Sequence, residues 1–369
     1  MTQVSDIESA VPQGNARVLP VIDTDVHEVL RTADQLVPYM DEAWRSYITD
    51  YRFKDGFIAG GDPYVFRGGH RMDYSQEYGV AAESVEAMRL HLLEQARETV
   101  VIINGFFHVA AMRASYEFAA AAASAYNNWQ IAEWLDKEPR LRGTIHVVAE
   151  DADAAVREIE RLADHPQMVQ IFLPSVTDRQ YGHPHFHPIY EAAQRHNLPI
   201  VFHHGSETQT ALGYTRYYGE WHTLAPAHAA QGQLASLVCN GVLDRFDGLN
   251  FIFLECSIGW MPWFLHRLDA NVKECSAEMP WIKRLPSESI RANVRLSTQP
   301  MGDMKPSEYV RLIEDLGTND MFMFSSDYPH YDADDALATF PDSIGAELQE
   351  AVLFRNALAT YDRLNVSVS

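Results

Sequence analysis

Cysteine is scarce in this chain of 369 residues. The three present, Cys239, Cys256 and Cys275, form neither a zinc-finger spacing nor a disulfide framework, a usage that suits a reducing cytoplasm. Basic residues are outnumbered, 29 against 51 acids, for a formal charge of −22. A surface of that sign repels nucleic acid and anionic membranes, so neither is expected as a partner. No uninterrupted apolar run reaches about 18 residues, so no helical membrane span is expected. Met1 to Arg17 carries acids and lacks a basic stretch followed by an apolar one; it reads as a tail and not as a secretory signal. No Gly-x-Gly-x-x-Gly follows an apolar run, which argues against a dinucleotide fold.

Apolar residues are plentiful at 47%, enough for a large core. They fall into short runs separated by helical patterns. Eight strands are predicted at 19–26, 99–104, 143–148, 167–173, 199–203, 249–255, 294–298 and 321–326. The runs are continuous and not alternating, as expected of parallel strands covered on both faces. Helices are predicted at 114–135, 151–164, 186–196, 226–244, 259–276 and 306–316, with Asp151 and Pro306 as helix starts. Eight alternations in one chain point to an α/β fold, a (β/α)8 TIM barrel forming a single domain over 1–369. A doubly wound sheet is the alternative. Residues 31–98 break the rhythm: the segment is long, aromatic and glycine-dotted, and reads as an inserted lid or interface segment after the first strand.

Chemistry-bearing residues gather at the predicted strand ends. Asp25-Val26-His27 closes the first strand, and in an extended segment residues 25 and 27 point to the same side. A carboxylate beside an imidazole is half of a site for a divalent metal. His203-His204 closes the fifth strand, Glu255 the sixth, and Asp327, followed by His330, the eighth. A barrel brings all of these to one rim. His146 lies inside the third strand; a buried, hydrogen-bonded role is expected there, with a place lining the pocket as the alternative. The alternating His183, His185 and His187 sit among prolines and read as a turn into a helix.

On these motifs the chain resembles the amidohydrolase-related family, the branch of metal-dependent hydrolases and decarboxylases that includes aminocarboxymuconate-semialdehyde decarboxylase. The carriers are Ile22-Asp23-Thr24-Asp25-Val26-His27, Pro199-Ile200-Val201-Phe202-His203, Gly241 to Phe246, Gly259-Trp260 with Arg267-Leu268-Asp269, and Phe324 to His330. The resemblance implies Asp25, His27, His203 and Asp327 as metal ligands, with His204 competing for the place of His203. Two departures stand out. Glu255 occupies the position where the decarboxylases of the branch carry a histidine that serves as general acid and base. The fourth strand holds no lysine that could be carboxylated to bridge two metals.

Glu255 is therefore a candidate ligand as well as a catalytic group, and so is Asp327. His228, after Pro226, is a further candidate ligand; His204, Glu207 and His330 are candidates for the shell that orients the ligands. Oxygen donors mixed with imidazoles favour one or two divalent ions, iron or manganese ahead of zinc. Six protein ligands exceed what one catalytic ion needs, which makes a dinuclear site the economical reading. Two chemistries follow. One is activation of dioxygen at a dinuclear Fe/Mn centre to hydroxylate a small, carboxylate-bearing substrate, which the sequence slightly favours. The other is hydrolysis or decarboxylation with a metal-bound water. A third reading is a structural-metal subunit paired with a homologous enzyme chain, so either a homo-oligomer or a hetero-oligomer is expected.

Overall fold

A computed structural model describes residues 19–30, 32–51, 71, 81–94, 98–105, 115–204, 209–210, 213–302 and 304–364. Eight parallel strands lie in chain order in one sheet: β1 (Val21–Val26), β2 (Glu98–Ile103), β3 (Leu141–His146), β4 (Met168–Pro174), β5 (Ile200–His203), β6 (Phe251–Phe253), β7 (Val294–Ser297) and β8 (Phe322–Met323). Just beyond β8 the backbone returns to β1. Thr24 N donates to Phe324 O (3.0 Å), Asp327 N to Asp25 O (3.0 Å) and His27 N to Tyr328 O (2.8 Å). These bonds close the sheet into the expected TIM barrel. The strands are buried almost throughout, which explains their continuous apolar runs.

Helices alternate with the strands. They include α1 (Glu42–Tyr51), α2 (Tyr116–Glu133), α3 (Ala152–Leu162), α4 (His187–Arg195), α5 (Tyr218–Cys239), α6 (Met261–Glu274), α7 (Pro286–Asn293) and α8 (Pro306–Leu316). Two starts follow the sequence signals. Asp151 caps α3 by accepting from Ala154 N at 2.9 Å, and Pro306 opens α8 at the position where its missing N–H costs nothing. One helix departs from expectation. α5 begins eight residues before Pro226, and the proline sits inside it. Glu220 sets the true start by accepting from Arg216 N and Tyr217 N (2.9 and 3.0 Å). Much of the expected insertion at 31–98 lies outside the described residues.

The wall between β2 and β3 is built in an unusual way. Their backbones pair only at Val101 with Leu141 and Ile102 with Arg142. Farther along, Thr144 Oγ1 lies 2.8 Å from Ile103 O across the seam, and amides from α2 engage the β3 backbone instead. Gln130 Oε1 accepts from Thr144 N, and the Asn127 amide both accepts from His146 N and donates to His146 O, all at 2.9 Å. Inside the barrel, Asn104 Oδ1 accepts from Thr144 Oγ1 and Gln170 Nε2, each at 2.6 Å, while Gln170 Oε1 accepts from the Tyr361 hydroxyl at 2.7 Å. Every member is satisfied, so this polar layer specifies the interior without a desolvation penalty left over.

Just before β3, Glu138 is buried and accepts from Arg89 Nε (2.6 Å), Arg140 Nε (2.9 Å) and Arg140 Nη2 (3.0 Å). Burial opposes its charge, but the bonds from Arg140 and Arg89 outweigh it and hold the carboxyl at about 2, below its ordinary 4.5. A depressed folded value means stability that is fully present above the unfolded value and is lost as pH falls through the folded one. Both arginines are about one-third exposed, so water screens the pairs. Glu138→Gln should cost about 1–2 kcal/mol at neutral pH. The gap to the native chain should hold down to about pH 4.5 and close as pH approaches 2, as measured by urea unfolding across that range.

Candidate metal centre

The strand ends deliver their side chains to one buried cluster. Asp25 and His27 come from β1, two residues apart on the same side of the chain. His203 is the last residue of β5. Glu255 and Asp327 follow β6 and β8, and both sit at positive φ, 45° and 60°. Bulky residues rarely adopt that conformation, and it costs about 1–3 kcal/mol at each site. Here it turns each carboxylate back over the barrel mouth. Glu255 N is held by Ser297 Oγ at 2.9 Å, and Asp327 N by the Asp25 carbonyl.

The two central imidazoles share one arrangement. His27 Nδ1 lies 2.6 Å from Asn104 O, and His203 Nδ1 contacts His204 O. A carbonyl only accepts, so both rings must carry the proton on Nδ1. That leaves each Nε2 facing the cluster, where a proton or a cation can sit. His27 Nε2 is 2.8 Å from Asp327 Oδ1 and 3.7 Å from Asp25 Oδ1. His203 Nε2 is 3.5 Å from Asp25 Oδ2 and 3.3 Å from Glu255 Oε2. Lone pairs of imidazole and carboxylate at such separations repel unless a proton or a cation lies between them. Neither Asp25 Oδ2 nor Glu255 Oε2 accepts a well-directed hydrogen bond, although both are buried.

Further groups extend the cluster. His330 Nδ1 is 2.6 Å from Asp327 Oδ2, His204 Nε2 is 2.8 Å from Glu255 Oε2, and His222 Nε2 is 3.5 Å from Glu255 Oε1. Three overlapping sets offer donor atoms within 4.8 Å of one another: Asp25 with His27 and His203; His203 with His204 and Glu255; and His27 with Glu255, Asp327 and His330. His203 meets Asp25 and His27, and both His203 and His204 meet Glu255.

The electrostatics are those of a site short of positive charge. Burial, and then the Glu255 charge, push the Asp327 carboxyl well above its ordinary range even though His27 pulls it down. Burial works against charge on Glu255 as well, but His204, His203 and His222 hold it well below the carboxylate range. Burial lowers His203, and Asp25 with Glu255 more than reverse that. A divalent cation is the natural counter-charge for such a set. The donor set fits one: carboxylate oxygens and Nε2 lone pairs, with each Nδ1–H anchored on a backbone carbonyl.

Asn104 is the hub behind the ligands. Its carbonyl anchors His27, and its Nδ2 donates to Asp25 Oδ1 at 3.1 Å. Asp23 performs a related task at the β1–β8 seam, where its Oδ1 accepts from Ser326 N (2.9 Å) and Asp25 N (3.3 Å). Burial raises Asp23 to about 7.

Of the residues singled out in the sequence, Asp25, His27, His203, His204, Glu255, Asp327 and His330 are brought together. Glu207 lies outside the described residues. His228 is not in any of the three donor sets. It lies six residues beyond His222 on α5, roughly 9 Å farther along the axis and about 240° around it. His222, on the same helix, reaches the edge of the cluster at Glu255. The signal for His222 was Glu220 three residues after Tyr217, a helix-start pattern that outranks Pro226. His183, His185 and His187 form no metal group among the described residues; His185 Nε2 bonds Glu150 O at 3.0 Å.

A family model described as amidohydrolase matches residues 22–363. No curated protein sequence matches the chain. Solved structures do share its fold. A 5-carboxyvanillate decarboxylase from Novosphingobium aromaticivorans DSM 12444, complexed with manganese and 4-hydroxy-3-methoxy-5-nitrobenzoic acid, superposes with TM-score 0.69 at 18% identity, over 94% of this chain and 97% of that one. A 2,6-dihydroxybenzoate decarboxylase from Rhizobium gives 0.66 at 18% identity, over 93% and 98%. An amidohydrolase from Mycobacterium avium subsp. paratuberculosis K-10 gives 0.67 at 17% identity, over 94% and 100%.

Removal of a partner that orients metal ligands typically lowers metal affinity about 10–100-fold. Asn104→Ala should do so for Mn2+, measured by calorimetric titration of the metal-free protein. His228→Ala, on the same assay, should bind as the native chain does.

Proposed function

The chain belongs to the amidohydrolase family, and from that premise we propose that it is a divalent-metal-dependent enzyme that decarboxylates a small carboxylic acid. The observation that carries this reading is the convergence of Asp25, His27, His203, Glu255 and Asp327 at one end of the barrel, with both imidazoles presenting Nε2. The decarboxylases that share the fold, one of them complexed with manganese, support the reaction class and make manganese the first metal to try.

Asp25, His27, His203 and Asp327 would hold the ion, which when bound supplies Lewis-acid polarisation and orients a substrate carboxylate. The protein's own task is the proton. Loss of CO2 breaks a carbon–carbon bond, and a proton must take the place of the carboxyl group on the substrate carbon. His204 Nε2 is the atom at which that proton is held, with the ionised Glu255 Oε2 at 2.8 Å as the partner that keeps it there. This pair stands in for the histidine of the decarboxylase branch, and it excludes a bulk-water donor because both side chains are buried.

A second reading rests on the surplus of donors. Beyond Asp25, His27, His203 and Asp327, the donors of His204 and Glu255, with His222 at their edge, would take a second ion, and a carboxylate-rich dinuclear iron or manganese centre would suit dioxygen activation.

Metal analysis and gas exchange separate the two. Protein loaded with Mn2+ should release CO2 from 2,6-dihydroxybenzoate or a related hydroxybenzoate under nitrogen, and EDTA should abolish this. Two redox-active ions per chain with oxygen consumption by the reduced protein, and no anaerobic CO2, would favour the oxygenase instead. In the decarboxylase, Glu255→Gln should lower kcat about 10²–10⁴-fold, the range for loss of general acid–base function, with KM little changed.

A further inference from the structure

His146 is the buried histidine that the cluster does not use. It ends β3, in register with Phe172 of β4. Side chains alternate along a strand, so His146 shares the face of Thr144, whose hydroxyl meets Asn104 and Gln170 inside the barrel. His146 therefore points into the barrel one layer nearer the mouth. Its ring stacks on Phe172 (4.8 Å, 25°), which in turn stacks on the other side toward His203 (5.8 Å, 27°). Tyr126 stands edge-on to it at 4.8 Å.

The backbone of His146 is fully engaged, since the Asn127 amide pairs with both its N–H and its C=O. The ring is the opposite. It is 2% exposed, and neither Nδ1 nor Nε2 has a hydrogen-bond partner. The nearby polar groups are committed elsewhere: the Tyr126 hydroxyl donates to Glu28 Oε1 at 2.6 Å, and the second Asn127 hydrogen goes to Glu158 Oε1 at 2.8 Å. Leaving a buried imidazole nitrogen unmatched is costly, and native interiors rarely accept that twice in one ring. Burial pulls His146 down to about 3, so the ring stays neutral with one donor and one acceptor at any working pH.

We propose that His146 is a substrate-binding residue, whose ring hydrogen-bonds an oxygen of the carboxylic acid bound at the metal centre. The proposal rests on the reading of a small carboxylic acid as substrate. The ring holds and orients that molecule; it does not carry the proton. Phe172 stacks against both His146 and His203, so the two imidazoles flank one aromatic ring. Specificity follows from the same atoms, because a ligand without an oxygen at that end leaves the imidazole unmatched again.

Calorimetric binding of benzoate and 2-hydroxybenzoate to the manganese-loaded protein tests this apart from turnover. His146→Phe keeps the stack on Phe172 and removes both nitrogens. It should bind the better of the two probes at least 10-fold more weakly, with unchanged manganese content and melting temperature. His146→Asn should recover most of the loss. Equal affinity in His146→Phe overturns the inference whatever the turnover, and so does failure of the native protein to bind either acid, which also counts against the carboxylic-acid reading. Weakened binding in His146→Phe with no CO2 released from any hydroxybenzoate supports the site and rejects decarboxylation alone.

Discussion

Desolvation of charge is the constraint on which the mouth of this barrel depends. Asp25, His27, His203 and Asp327 are wholly buried, and Glu255 nearly so. Charges in such a place persist only when each is matched within a few ångströms. The fold meets that demand by geometry: remote strand ends arrive in one ring, and each carboxylate is set against an imidazole. Backbone carbonyls from Asn104 and His204 hold Nδ1–H of His27 and His203, so that each Nε2 points at the carboxylates.

The positive φ of Glu255 and Asp327 belongs to the same solution. A strand that simply continued would carry these carboxylates past the cluster. Turning each residue into the left-handed region directs the side chain inward, and the surrounding bonds hold the turn: Ser297 Oγ on Glu255 N, and the Asp25 carbonyl on Asp327 N. Strain at both positions is therefore maintained by the closing of the barrel itself. The Asn104, Thr144, Gln170 and Tyr361 layer beneath supports it from the interior.

Much of this was legible in the sequence because parallel strands buried on both faces read as plain apolar runs, and because the residue after each run is free to be polar. Asp25, His27, His203, Glu255 and Asp327 stood out for that reason. What could not be read came from helices and side-chain pairing. Pro226 looks like a boundary, yet a long helix absorbs it when neighbouring packing compensates for one lost bond, and that shift hid His222 behind His228. His146 was expected to be buried and hydrogen-bonded, with a place lining the pocket as the alternative. Nothing in a sequence says that Asn127, nineteen residues upstream, will engage its backbone instead. The amide hub at Asn104 was equally silent, since a single asparagine after a strand is ordinary.

The junction of β2 and β3 has a consequence for how the barrel can breathe. Most of the wall is stitched by peptide groups whose spacing is fixed, but here β3 reaches β2 through the Thr144 hydroxyl, 2.8 Å from Ile103 O, while the Asn127 and Gln130 amides tie β3 to α2. Side-chain rungs have rotatable bonds, so this seam can widen or narrow by torsion while every donor keeps its acceptor. A seam tied by a side chain gives more readily than one tied by peptide groups, and this one lies next to His146.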